Sequence, residues 1–386
     1  MSPRVPSLRL WLLLASSLVV QATVFLARPA STYAAIDVGV PAAALGAIGA
    51  AFALAPLLLA VPLGTFADRI GEGALQLVGG LVLAGACLVL LLAPTTPLTL
   101  VLGNALMGAG HLACIVGQQT YVAHHFASER LDAAYGYYTF AASLGQAVGP
   151  ALIAVVGGAA ATPDTALIFL AASGLSLLLV AAAPALGLRP RPRTPDAGAR
   201  GGLRSLLRLP GLGQALLTSA VVIAAVDLTL VYLPALGAER GLGAGTVGAL
   251  LTVRAVFSMV SRIGLGRLTA RFGRGPVLVT SLVASSLGLA VLALPLPVPA
   301  MFVVLAVVGL GLGVGQPLTM AWLTRRAPAE QKAQAVALRL AGNRAGQIVV
   351  PSVLGVAAVG GASVALVAIA VLLGSMLPVL RGQRLD

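Results

Sequence analysis

Arg339, Asn343 and Gln347 recur at every fourth position of this 386-residue chain, and Arg344 stands three residues before Gln347. On a helix the first three share one face, so guanidinium and amide donors would point the same way. Three more charged residues, Arg28, Asp227 and Arg254, interrupt otherwise apolar stretches and bring the set to four arginines against one acid, a net of +3. Guanidinium groups grip carboxylates, phosphates and sulfonates through paired hydrogen bonds. The set therefore predicts an anionic ligand, with at least two of the four arginines facing it. The competing use of each arginine is to bond a helix-end carbonyl or to snorkel to water, and Arg339 is the first candidate for that.

Asp227 offers a second chemistry. A carboxylate alone in an apolar interior can bind and release protons, which makes Asp227 the candidate proton carrier. The alternative is a permanent ion pair with Arg254 or Arg28 that holds helices together. His111 is a secondary candidate for proton handling, although a lone histidine in such a place more often bonds one helix to another. His124 and His125 are adjacent, so their side chains point apart on a helix and no metal is expected there. The chain contains no His-Glu-x-x-His, no Gly-x-Ser-x-Gly and no paired membrane carboxylates. It is not expected to be an enzyme or to need a cofactor.

The elements that must position these residues follow from composition. Hydrophobic residues make up 59% of the chain and charged ones 9%, with a mean hydropathy of +1.02. A soluble domain could not hide that much apolar surface. In lipid the backbone must satisfy itself, as helices or a closed barrel, and the long runs without alternation exclude the barrel. Twelve runs long enough to cross a bilayer lie near 8–35, 42–63, 75–94, 98–121, 132–157, 165–187, 211–236, 245–267, 276–294, 299–322, 332–358 and 361–380. Arg4 and Arg9 precede the first run as they would in a secretory signal. That run is longer than a signal, and it is expected to stay in the protein as a helix. The fold class predicted is an all-α membrane protein of twelve transmembrane helices in two pseudo-symmetric six-helix bundles.

Nineteen of the 24 Lys and Arg residues fall at the termini or in one set of connections and their flanking helix ends, whereas the opposite connections carry Arg240 alone. This asymmetry predicts that both termini face the cytoplasm. The six arginines of 189–208 lie where that rule puts positive charge and carry no interleaved aromatics, so no nucleic-acid partner is expected. The stretch reads as a basic cytoplasmic linker, 189–209, between bundles at 1–188 and 210–386, with a lipid-headgroup contact through 203–207. Cys87 and Cys114 read as small core residues. A bacterial inner membrane fits the short external connections and the single lysine among 23 arginines, and a functional monomer is expected.

The two halves are one pattern written twice. Gly46 recurs as Gly248 and Gly64 as Gly266, 202 positions on; Glu129 recurs as Glu330, Gly145-Gln146 as Gly346-Gln347 and Pro150 as Pro351, 201 positions on. A duplication of this length in an apolar chain points to a transporter. Tyr138 and Ser143 stand where Arg339 and Arg344 stand in the second copy, so the cationic set belongs to the second half. Gly309, Gly311, Gly313 and Gly315 follow no strand and precede no Lys-Ser/Thr, which favours close helix packing and gate flexibility over a phosphate loop.

Two motifs carry a family resemblance. Gly64-Thr-Phe-Ala-Asp68-Arg69-Ile-Gly71 follows the second run, with a degraded copy, Gly266-Arg-Leu-Thr-Ala270-Arg271-Phe-Gly273-Arg274, in the second half. Gly145-Gln-Ala-Val-Gly149-Pro150 lies in the fifth run. With the helix count and the repeat, these resemble the major facilitator superfamily and, in the second motif, its drug/proton antiporter branch. The resemblance implies that Gly64, Asp68, Arg69 and Gly71 form a cytoplasmic latch, and that Gly145, Gly149 and Pro150 serve coupling; plain helix packing is the equal alternative for the latter three. Glu72 departs from the basic residue the family pattern expects. Where antiporters of this kind carry an arginine on the fourth helix, this chain has Asn104, which can hydrogen-bond a substrate but supplies no charge.

Taken together, these features predict a secondary transporter that exports small organic molecules in exchange for protons, with Asp227 as carrier and Arg28, Asn104, Arg254, Arg339, Asn343, Arg344 and Gln347 around the substrate. The runner-up is an organic-anion carrier, by uptake or exchange, in which the arginines form the site and Asp227 is only their partner.

Overall fold

The computed structural model describes residues 8–93, 96–126, 128–156, 160–188, 211–326 and 332–380; the side chains of 60–69, 123–124, 128–133, 324–326, 332–337 and 357 lie outside the description. The basic stretch 189–209 is likewise outside it. The helices are α1 (Leu8–Asp37), α2 (Ala42–Ile70), α3 (Glu72–Leu92), α4 (Pro97–His125), α5 (Ser128–Val156), α6 (Thr165–Ala182), α7 (Leu212–Glu239), α8 (Ala244–Phe272), α9 (Arg274–Leu292), α10 (Val298–Arg326), α11 (Lys332–Leu354) and α12 (Ala362–Gly374, continued by Met376–Leu380). Among the described residues there is no strand.

Among the described residues, eleven of these helices are long and apolar enough to cross a membrane, and the described part of α11 is not among them. That helix carries Arg339, Asn343, Arg344 and Gln347, whose polar groups lower its apolar character. The helices outrun the apolar stretches at one end: α2, α4, α8 and α10 continue to Ile70, His125, Phe272 and Arg326. Charge ends an apolar run but not a helix, whose hydrogen bonds are made within the backbone. Gly64 therefore stands within α2, and the turn that follows is made by Gly71. Gly71 caps α3 at φ 89°, ψ 159°, and Gly273 caps α9 at φ 81°, ψ 159°. Only glycine adopts that backbone without strain, and the same turn is built twice.

The chain forms two compact units: residues 1–39, 54–193 and 242–252 in one, and residues 40–53, 194–241 and 253–386 in the other. In unit one α1 packs on α4, α5 and α6, and α3 packs on α4 and α6; in unit two α7 packs on α10, α11 and α12, and α9 on α10 and α12. The packing list repeats with a shift of six helices. The first turns of α2 belong to unit two and those of α8 to unit one, and these pieces are themselves repeat equivalents.

Small residues set the closest contacts, as expected where lipid offers no hydrophobic drive. A Cβ on Gly149 would lie 2.6 Å from the Ala22 carbonyl oxygen of α1, and one on Gly248 would lie 2.7 Å from the Pro150 carbonyl oxygen of α5. Gly46 approaches Tyr232 Oη and Pro351 in the same way, within unit two. The glycines of α10 face three neighbours, Gly309 and Gly313 against α8, Gly311 against α9 and Gly315 against α7. Cys87 and Cys114 are buried and free.

Helix ends are tied by polar contacts. Thr96 and Thr99 form a capping box at α4, with Pro97 at the first turn. Asp164 accepts from Ala166 N at 3.0 Å to cap α6. At the far end of α7, Glu239 accepts from Ala362 N at 2.8 Å and Arg240 donates to the Ala293 carbonyl at 2.7 Å. Arg240, the one basic residue in its set of connections, thus closes the C-terminal end of α9. Burial pushes its guanidinium pKa down, and the neighbouring Glu239 carboxylate opposes that.

Candidate functional site

Unit two holds two linked polar groups. The first is centred on Gln316 of α10. Arg339 Nη2 donates to the Gln316 carbonyl at 2.9 Å, to Gln316 Oε1 at 2.5 Å and to Thr319 Oγ1 at 3.4 Å. Asn343 Nδ2 also donates to Gln316 Oε1, at 3.2 Å, and accepts from Ser219 Oγ of α7 at 2.8 Å. Gln316 Nε2 completes the ring on the Ser219 carbonyl at 2.8 Å. Three helices are joined through one amide. Pro317, next to it, lacks the N–H that would bond the Gly313 carbonyl, and Arg262 Nε of α8 reaches that carbonyl at 3.4 Å. Arg339 is buried (5% exposed) and committed to α10, so its contacts are those of a clamp between helices.

The second group is centred on Asp227 of α7. The Gln347 amide N–H donates to Asp227 Oδ2, and Arg344 Nη1 donates to Gln347 Oε1 at 3.0 Å. Arg254 of α8, 2% exposed, has the Asp227 carboxylate as an electrostatic partner. Asp227 is itself buried, so its bond with Gln347 and its attraction to Arg254 act away from solvent. The face shared by Arg339, Asn343 and Gln347 is thereby divided. Each step of four residues turns the helix by about 40°, enough for Arg339 and Asn343 to meet α10 while Gln347 meets α7.

Unit one holds Arg28 and Asn104. Arg28 is buried in α1, and Ser31 Oγ donates to its carbonyl at 2.8 Å and lies 3.4 Å from Asn104 Oδ1 of α4. Asn104 Nδ2 returns to the Leu100 carbonyl at 2.9 Å. His111 is buried in the same helix. A further amide network lies deeper: Gln118 Nε2 donates to Gln76 Oε1 at 3.1 Å, Gln76 Nε2 donates to Ser16 Oγ and to the Leu179 carbonyl, both at 3.2 Å, and Tyr138 Oη donates to Gln118 Oε1 at 3.4 Å. Tyr138 and Gln118 are the repeat equivalents of Arg339 and Thr319. Both units therefore put a polar hub at one place, neutral in the first and cationic in the second.

The remaining motif residues divide in two. Gly145, Gly149 and Pro150 lie within α5, where the two glycines bring it against the α1 backbone. The side chains of Asp68 and Arg69 and the surroundings of Gly64 lie outside the described residues, as does the His124 side chain. His125 stacks on Tyr121 with ring centroids 3.8 Å apart.

The family model of the Major Facilitator Superfamily matches residues 13–243 and again 215–383. The chain belongs to the Major Facilitator Superfamily. Its architecture agrees with solved structures of other transporters. It is similar to the nucleoside transporter NupG (TM-score 0.75, 15% identity, 98% of this chain and 100% of that one). It is similar also to the peptide transporter POT in complex with sulfate (0.70, 16%, 96% and 94%). A third is a bacterial homologue of the human lysosomal transporter Spinster, in an inward-facing and unoccupied conformation (0.70, 14%, 97% and 96%). Identities this low establish the shared fold. No curated protein sequence matches. This superfamily member is a multi-pass membrane transporter and not an enzyme, while the drug/proton antiporter branch suggested by Gly145–Pro150 finds no support in these similarities.

Gln316, Gln76 and Gln118 were not singled out from sequence. Their signal was present: each is a strongly polar amide inside an apolar span, where such groups are expensive, and Gln316 precedes a helix-interior proline.

Proposed function

We propose that this superfamily member is a secondary active carrier of small organic anions, working by alternating access. The Arg344–Gln347–Asp227 chain beside Arg254 carries the reading. In it an internal carboxylate already occupies the Gln347 amide, beside the buried Arg254. Such an arrangement suits a stand-in: a substrate carboxylate, phosphate or sulfonate competes with Asp227 for Arg254, Arg344 and Gln347, and Asp227 takes the donors back when substrate leaves. Arg28 and Asn104, buried together in unit one, are further candidates for substrate contact. Arg339 and Asn343 position α11 against α10 through Gln316. The halves 1–188 and 210–386 act as the moving bundles, joined by 189–209, with both termini in the cytoplasm, in a bacterial inner membrane and as a monomer. Gly64, Asp68, Arg69 and Gly71 form the cytoplasmic latch.

The second reading is proton-coupled efflux, with Asp227 as carrier and His111 in support. It is favoured by one observation: the neutral Gln347 amide can bond either form of the carboxyl group.

The test is counterflow in proteoliposomes loaded with unlabelled organic carboxylates, phosphonates or sulfonates, or with lipophilic cations, followed by labelled tracer. The reading expects anions to exchange, and Arg254→Gln to lower the rate at subsaturating tracer about ten-fold or more, the loss of one charge-assisted bond. Exchange of the cations alone would overturn it.

A further inference from the structure

The second copy of the α2–α3 motif has no part in the proposed transport. Its backbone matches the first at the glycine cap, but its charge does not. Asp68, Arg69 and Glu72 become Ala270, Arg271 and Arg274, and Arg267 stands a turn earlier on α8. No acidic residue occurs between Glu239 and Glu330. Two acids and a base have become a cluster of arginines.

Two of these arginines, Arg267 and Arg271, stand at the end of a groove. A cavity of about 620 Å³ opens between α8, α9 and α10, all within unit two. Val260, Gly264, Leu268 and Phe272 recur every fourth residue along its α8 wall, with Pro276 of α9 and Val307 of α10 among the residues opposite. Its lining is apolar along most of its length, and Ile263 and Val303 beside it are exposed, so in a membrane this face meets lipid chains. Phe272 lies at the α8–α9 turn, where the guanidinium of Arg271 sits 5.2 Å from the centre of its ring. Arg267, one turn back on the same face of α8, is exposed too.

We propose that this groove is a binding site for an anionic phospholipid of the surrounding bilayer, its acyl chain along the α8 ridge and its phosphate at Arg267 and Arg271. Apolar length with cations at one end matches that amphiphile. A small soluble anion would leave the groove empty, and an uncharged lipid would leave the arginines unused.

The experiment is lipid binding to the purified, delipidated protein, read by native mass spectrometry against phosphatidylglycerol and phosphatidylcholine of identical chains. The wild type is expected to retain phosphatidylglycerol preferentially. Removing both charges, Arg267→Gln with Arg271→Gln, is expected to weaken it about five-fold per arginine while leaving phosphatidylcholine unchanged. Filling the groove with Gly264→Leu is expected to weaken both lipids; a Cβ there meets nothing within 4 Å, so the replacement is accommodated. Equal retention of the two lipids by the wild type overturns the proposal, as does phosphatidylglycerol binding that survives the double arginine variant or the filled groove.

Discussion

Gly145→Ala separates a packing glycine from an idle one. In a helix interior, alanine is favoured over glycine by about 0.8–1.0 kcal/mol. Gly136, also in α5, should show that gain, because a Cβ there meets nothing within 4 Å. At Gly145 the same Cβ would sit 2.8 Å from Gln21 Cβ and 3.0 Å from the Leu18 carbonyl carbon, with the Leu18 oxygen nearer still. These belong to α1 and include backbone, so relief requires the two helices to part. Overpacking of this kind costs about 1–3 kcal/mol, which cancels or outweighs the helix gain. Gly145→Ala should therefore be less stable than Gly136→Ala by about 1–3 kcal/mol. Unfolding of the purified variants in one detergent, followed by circular dichroism, measures the difference. Equal stability of the two would refute the view that Gly145 is required by the α1–α5 approach.

Other consequences follow from the same contacts. Gln316→Leu should cost about 2–3 kcal/mol in a melt, because Arg339 and Asn343 lose an acceptor in a buried site; unchanged stability would remove Gln316 from the hub. Gln76→Leu should cost about 1–3 kcal/mol, leaving a Gln118 amide donor unpaired, and the same melt would show it. Gly248→Val should lower stability through contact with the Pro150 carbonyl and Ala154 N, whereas Gly266→Val, at a helical position with open space around it, should leave stability unchanged or slightly raised, because valine is a better helix former than glycine.

The helix number and the repeat were legible because hydropathy and glycine–proline stations are local properties of the chain. The stations even meet: Gly46 contacts Pro351, and Gly248 contacts Pro150. Helix ends were not legible from apolar runs, since α2 and α8 carry their motif charges on helix rather than loop. The exchange of the first turns of α2 and α8 between units depends on tertiary contacts that no local pattern encodes. Within the site, spacing brought Arg344 to Gln347, but the division of the α11 face needed the positions of α7 and α10. Gln316, Gln76 and Gln118 share no face or motif with a membrane charge in the sequence, and only the packing of their helices reveals their contacts.

On the proposed reading Asp227 stands in for substrate and does not carry protons. Proteoliposomes holding an internal pH dye, challenged with an organic anion that the counterflow assay shows to exchange, compare wild type with Asp227→Asn directly. The anion is expected to cross in both without moving protons, and with a lower KM in the variant, where the competing carboxylate is gone. Proton movement in the wild type that is abolished in Asp227→Asn would contradict it.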